Sequence, residues 1–507
     1  MQIVAQQAVK IITQKRVFSK AICLADLVLG GGATISALVF CYFVYLYGWT
    51  GQRQFTSSSM GALVYYALPT GLSGLLLASL RMRPAFKTTL AIVCLLFTAT
   101  VYLAELSLAG ANSAHIAAPF WGIDQVSPEN KKVIAKLAER SGILFDIRDH
   151  VELIDQLRKR GIDAVPAVML GRFLKDNGSV KFSDHTNGAE LIPIGAIANR
   201  TTVLCNESGP HITYESDEHG FRNPQGIWKS AGADVAALGE SFAQGYCVPN
   251  GNGFVDLFRK RYPVTLNLGM SGESSLVQLA AMKEYLPRYA PKIVLWFFCE
   301  GIDLYDLRDE VKHSLLMRYL EPNFSQHLFS RQIEIDQVLR RFIADTEMHA
   351  LERKPASRYS AFVDKSLEIV KLANLRQKLG LVYGITNEDP EVFLRSEGAT
   401  WDVFRDALLQ AKTLTNGWGG TLYFVYLPSW HRYGKDPRVP ELERTRVLKV
   451  VGALGIPIVD IQTAFQAHND PLSLFPIRKF GHYNEMGNQI VAERALKAVS
   501  GRESIVH

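Results

Sequence analysis

Three apolar stretches occupy the first 110 residues, at roughly 21–47, 61–80 and 88–108. Each approaches or exceeds the ~20 residues a helix needs to cross a bilayer core. One such stretch would pass for an uncleaved signal sequence. Three in succession, with no small-residue cleavage site, predict a permanent anchor. Lys10, Lys15, Arg16 and Lys20 precede the first span, and Arg81, Arg83 and Lys87 fill the loop between the second and third. The remaining short loop carries only Arg53. The positive-inside rule therefore holds the N-terminal residues 1–20 and the second loop in the cytoplasm, and an odd number of spans sends everything after Gly110 across the membrane. Asp26 and Glu105 fall within spans but close to their ends, where hydration at the interface is the expectation.

Outside the anchor region (21–110), the 507-residue chain keeps ample material for a large core. Its net charge of +6 is modest for this length, and Lys and Arg do not cluster with aromatics, so no nucleic-acid partner is expected. Neither a metal nor a cofactor is expected. Residues 111–215 form a section of their own, with helical apolar spacing at 128–142 and 149–161 and extended pieces at 164–170 and 190–194. No catalytic grouping stands out there, and the section reads as a spacer or cap. It runs into Tyr214-Glu-Ser-Asp-Glu-His-Gly-Phe-Arg-Asn-Pro224, a polar, turn-rich stretch whose His219 and Arg222 are candidates for the mouth of a site. Of the six cysteines, Cys205, Cys247 and Cys299 lie beyond the spans. An extracytoplasmic location permits a disulfide, and the pairing considered is Cys205 with Cys247, although spacing alone establishes no pairing.

From residue 216 to about 500, apolar strands alternate with helical stretches, the pattern of an α/β domain with a parallel sheet flanked by helices. Val235-Ala-Ala-Leu238 stops at Gly239 and presents Glu240 and Ser241 where a helix can begin. Alone this is equally a buried strand closed by a serine cap. Further strands are expected at 264–268, 293–298, 422–427 and 456–460, and a charged, mainly helical insertion at about 304–420. His482 follows the last strand in a loop before the amphipathic helix 488–499, a position suited to a general base.

Gly239-Glu-Ser241, Asn267-Leu-Gly269, Glu300-Gly-Ile-Asp303 and Gly481-His-Tyr-Asn484 occur in the order and approximate spacing of the four sequence blocks of the SGNH, or GDSL-like, hydrolase superfamily. The chain resembles its membrane-anchored bacterial branch, found among envelope and exopolysaccharide proteins. The resemblance implies Ser241 as nucleophile, His482 as its base, and the N–H groups of Ser241 and Gly269 as oxyanion donors. It implies cleavage or transfer of an acyl ester through an acyl-enzyme, with an acylated extracytoplasmic glycan as substrate. Three positions depart from the family pattern. Glu240 stands where the family has Asp, Ile302 stands where an Asn side chain completes the oxyanion hole, and Lys479 stands where the triad acid usually lies. A Ser-His dyad, or Asp470 acting through space, are the ways the site would manage without that acid.

Two readings follow. The first is a membrane-tethered serine esterase or O-acyltransferase in the bacterial cytoplasmic membrane, with its large domain in the periplasm. The second is a catalytically impaired relative that binds glycan or joins envelope proteins in an assembly.

Overall fold

The computed structural model describes residues 2–45, 63–112, 128–140, 142–171, 174, 191–352, 363, 366–378, 394, 398–433, 438–476, 478 and 481–501. The chain forms two compact units, one of residues 1–115 with 356–395 and the other of residues 116–355 with 396–507.

The first unit contains the apolar region. Among the described residues, Phe18–Val44 and Pro84–Ala109 are the helices long and apolar enough to cross a membrane. The middle stretch is a five-residue π-helical turn, Leu63–Ala67, running into the 12-residue helix Leu68–Ser79. The expectation of three spans therefore meets two long helices and one shorter one. They pack through small side chains, Ala25, Ala33 and Ala91, around Leu29 and Leu76, the close approach typical of helices in lipid. Leu27, Leu75 and Phe97 stand about 70% exposed on the outside. Lys87 pairs with Asp26 at 2.8 Å.

Glu105 departs from the expected hydration. Its carboxylate is buried and accepts hydrogen bonds from the backbone N–H of Asn374 at 3.0 Å and of Leu375 at 2.7 Å, and from Asn374 Nδ2 at 2.8 Å. These backbone donors belong to the first turn of the helix Ala373–Lys378, where orphan N–H groups favour an anion. The Tyr102 hydroxyl donates to Val370 O, and Arg376 donates to the Tyr65 hydroxyl. The middle of the long insertion thus belongs with the apolar helices. Removing a charged acceptor from buried donors costs about 1–3 kcal/mol. Glu105→Ala is therefore expected to release residues 366–378, which limited proteolysis of the full chain in lipid nanodiscs will read as roughly tenfold faster cleavage within that segment.

Among the described residues the second unit is built on eight strands: β1 (Ala164–Pro166), β2 (Thr201–Cys205), β3 (Ile212–Glu215), β4 (Val235–Leu238), β5 (Thr265–Asn267), β6 (Ile293–Cys299), β7 (Thr421–Leu427) and β8 (Ile458–Asp460). The last five form an all-parallel sheet in the order β5-β4-β6-β7-β8. Each of its two faces takes alternate side chains. Val235, Ala237, Leu295 and Phe297 meet Phe254, Phe258 and the helix Glu485–Val499. On β6, Phe298 instead lies 5.6 Å, ring to ring, from Phe404 of the helix Ala399–Gly417. A central strand covered on both faces must be apolar throughout, and all four residues of β4 are buried. The chain passes from β4 outward to β5 and then back across to β6. That reversal makes the carboxyl end of β4 a topological switch point, the usual ligand position in open α/β sheets.

The described part of the stretch expected as a spacer or cap, 128–215, shares a compact unit with the large sheet, and β1, β2 and β3 form a small second sheet within it. The expected insertion divides between the two units. Residues 304–355 and 396–420 belong with the large sheet, and residues 356–395 with the apolar helices. The extended piece expected at 190–194 is irregular chain over its described residues 191–194, although these are buried.

Candidate active site

Ser241 opens the four-residue helix Ser241–Gln244 directly beyond β4. Gly269, from the loop after β5, lies against this helix so closely that a Cβ there would meet Ala243 Cβ at 2.6 Å and Gln244 N at 2.7 Å. Only glycine lets the second block approach the serine. On the other side, Asn484 caps the helix Glu485–Val499 by accepting from Gly487 N, and the Tyr483 hydroxyl donates to Pro428 O. His482 is held just ahead of these anchors. Its ring lies between Phe242 and Tyr246, at 4.6 and 4.7 Å between ring centroids.

His482 Nε2 lies 2.7 Å from Ser241 Oγ. Its Nδ1 lies 3.0 Å from Glu207 Oε2 and 3.2 Å from Oε1, and its backbone N–H donates to Oε2 at 2.8 Å. Serine, imidazole and carboxylate therefore stand in line. Glu207 lies in the turn between β2 and β3, in the section the sequence marked as spacer. Gly481 makes room for it, since a Cβ there would meet Glu207 Oε2 at 2.7 Å. Asp470, the proposed accessory acid, pairs instead with Arg478 at 2.7 Å, and Lys479 lies outside the described residues. Burial works against the protonated imidazole of His482, but the charge and hydrogen bond of Glu207, with a contribution from Glu240, outweigh it and hold the pKa above the ordinary 6.5.

Cys205 and Cys247 are joined by a disulfide with Cα atoms 5.4 Å apart. This ties the end of β2, two residues before Glu207, to the segment that follows the serine helix. The Glu207 N–H points to Cys247 Sγ at 3.4 Å, and Ser208 Oγ donates to Cys247 O at 2.8 Å. Ligand atoms of Glu207, Cys247 and His482 lie within 4.8 Å of one another, as a metal site would need. Cys247 Sγ is already spent in the disulfide, which leaves two candidate ligands, and those two face each other. Cys299 is a buried free thiol at the end of β6.

The two backbone donors expected to bind an oxyanion are both engaged. Ser241 N–H donates to Glu240 Oε2 at 2.6 Å, and Gly269 N–H donates to Asn267 Oδ1 at 2.9 Å. Glu240 also accepts from Phe242 N at 3.1 Å and from the Ser241 hydroxyl. Burial pushes its carboxyl pKa up, against the pull of His482 and these donors. Ile302 packs its partly buried side chain against the sheet core and offers no side-chain donor.

The polar stretch before β4 braces the site rather than lining its mouth. Asp217 is buried and accepts from His219 N, Phe221 N, Asn223 Nδ2 and Trp228 Nε1. Arg222, also buried, donates to Gly245 O, Val248 O and Asn250 Oδ1, fixing the loop that carries Cys247. His219 sits among Trp228, Tyr285 and Phe329.

No family model matches the chain. No curated protein matches it either. Among solved structures it is similar to TesA, at 11% identity and TM-score 0.29, over 53% of this chain and 99% of TesA. It is similar to LAE5, an alpha/beta hydrolase enzyme from the metagenome of Lake Arreo, Spain, at 15% identity and TM-score 0.29, over 55% and 100%. A two-domain esterase, CEX, active on acetylated mannans, is similar at 12% identity and TM-score 0.26, over 55% and 51%. Likenesses this distant assign no activity to the chain. The candidate site stands on its four sequence blocks and on the aligned Ser241, His482 and Glu207.

Proposed function

We propose that the chain is a membrane-tethered serine esterase of the SGNH type, or an O-acyltransferase with the same first half-reaction, acting on an acylated glycan outside the cytoplasmic membrane. The observation that carries this is the relay from Ser241 Oγ through His482 to Glu207, at 2.7 and 3.0 Å. A serine hydroxyl is a weak nucleophile until a neighbouring base takes its proton. As Oγ bonds to the ester carbonyl carbon, its proton passes to His482 Nε2, and Glu207 stabilises the imidazolium. The same proton then goes to the departing alkoxide as the ester C–O bond breaks, leaving the acyl group on Ser241. Water regenerates the serine in an esterase, and a sugar hydroxyl does so in a transferase.

The apolar helices, the distribution of Lys and Arg, and a disulfide beside the site support membrane tethering with the hydrolase unit in an oxidising compartment. A second reading, a glycan-binding or envelope-assembly protein, draws support from Ile302 and from the engaged N–H groups of Ser241 and Gly269. A fluorophosphonate probe separates the two. Wild type is expected to form an adduct that Ser241→Ala lacks. Absence of any Ser241-dependent adduct, together with no turnover of small acyl esters, would leave the binding reading.

A further inference from the structure

The side chain that engages Ser241 most closely besides His482 is that of Glu240. As N-cap of the serine helix it accepts from the first two N–H groups, those of Ser241 and Phe242. Shorter capping side chains such as Asp accept from the second or third N–H instead. The additional methylene of Glu brings its carboxylate onto the Ser241 N–H, where the oxygen of a tetrahedral intermediate would need to bind. The same oxygen, Oε2, accepts from the Ser241 hydroxyl. That hydroxyl has one hydrogen, which it can give to Glu240 or to His482 Nε2 but not to both at once.

We propose that Glu240 is a positioning residue that blocks the oxyanion site in the resting protein, so that an incoming acyl carbonyl must displace its carboxylate before Ser241 can attack. This rests on the esterase reading above. Gly269 N–H is occupied by Asn267 Oδ1, and the Asn267 amide is anchored in turn on Ala243 O at 2.8 Å. Ser241 N–H is therefore the donor that one substitution can clear without unseating a strand end. The groups around Glu240 allow such a displacement. His482 faces it from the final loop, Asp303 from the helix after β6, Cys299 from the end of β6, and Tyr483 from beside the histidine. Burial works against the charged form of Glu240, and burial together with the charge of Glu240 pushes the Asp303 carboxyl well up, so the anionic form that holds these donors is itself costly, which weakens the hold of Glu240 on them.

The test compares wild type, Glu240→Asp, Glu240→Gln and Ser241→Ala as full chains in detergent, with p-nitrophenyl acetate as substrate and a fluorophosphonate as probe. One recovered oxyanion donor is worth about 10²–10³ in turnover. Glu240→Asp is expected to raise kcat at least tenfold with KM changed less than threefold, and to speed Ser241 labelling in parallel. Glu240→Gln, a neutral and weaker acceptor of the same length, is expected to give a smaller rise. A structural role alone would lower turnover along with the melting temperature. Unchanged or reduced turnover in both variants, with Ser241 still labelled, overturns the block while leaving the esterase reading intact. Absence of Ser241-dependent labelling in every variant overturns both.

Discussion

Glu207→Gln is expected to lower kcat on a small acyl ester by about 10⁴-fold, the scale on which a triad carboxylate acts when its neutral amide replaces it. The geometry gives the reason. Glu207 meets His482 twice, at Nδ1 and at the backbone N–H, so it fixes the ring orientation and also supplies the charge that favours imidazolium in the transition state. An amide of the same shape keeps some of the orientation and none of the charge. The pH dependence has a defined sign. The base must be neutral to accept the serine proton, and burial lowers the pKa of His482 while Glu207 more than restores it. In wild type, kcat/KM should therefore climb with pH through an inflection above 6.5. In Glu207→Gln that inflection should move to lower pH as the overall rate falls. A pH profile of both proteins checks this, and retention of turnover within tenfold of wild type would remove Glu207 from the relay.

The second large effect is on stability. The cysteines are separated by 42 residues, and closing a loop of that size in the unfolded chain corresponds to about 4 kcal/mol on the chain-entropy account. Replacing Cys205 and Cys247 together by Ser should lower the melting temperature by roughly 5 °C for a unit of this size. Turnover should fall as well, because the bond sits beside Glu207 and its loss frees the turn that presents the carboxylate. Thermal melts of wild type and the double variant, with and without reductant, provide the check. Reductant should lower the wild-type melting temperature toward that of the double variant and leave the variant unmoved.

Ser241 and His482 were legible in the sequence because local rules place them. An apolar run that stops at glycine before a helix fixes where a serine emerges, and a histidine after the last strand of a parallel sheet falls at the same edge. Glu207 obeys no such rule. It precedes the serine, lies beyond another sheet and reaches the histidine only through tertiary structure, so a search three residues before His482 finds Lys479. One signal was available. A Cys205–Cys247 bridge, taken as a constraint, would have brought residue 207 beside the segment following Ser241 and made Glu207 a candidate acid.

The blocked donors could not be read in advance either, since the direction in which Glu240 turns depends on backbone geometry at the cap. The first part of the insertion, expected as mainly helical, is broken into the helices Asp303–Glu310, Ser314–Met317 and Gln332–Glu352 with short 3₁₀ turns at Arg318–Leu320 and Leu328–Ser330. Glu284 accounts for part of that break. Its carboxylate accepts from Gln326 N, Leu328 N and the hydroxyls of Tyr319 and Ser325, which satisfies backbone outside a helix.

The return of residues 356–395 to the apolar unit bears on how the unit carrying Ser241 could be shed. The chain passes between its two units three times, near residues 115, 355 and 395. One proteolytic cut at any of these passages leaves the others continuous. A protease that clips the first passage would nick the protein without freeing the unit that carries Ser241, which would stay joined to the unit of the apolar helices until the other two passages were broken as well.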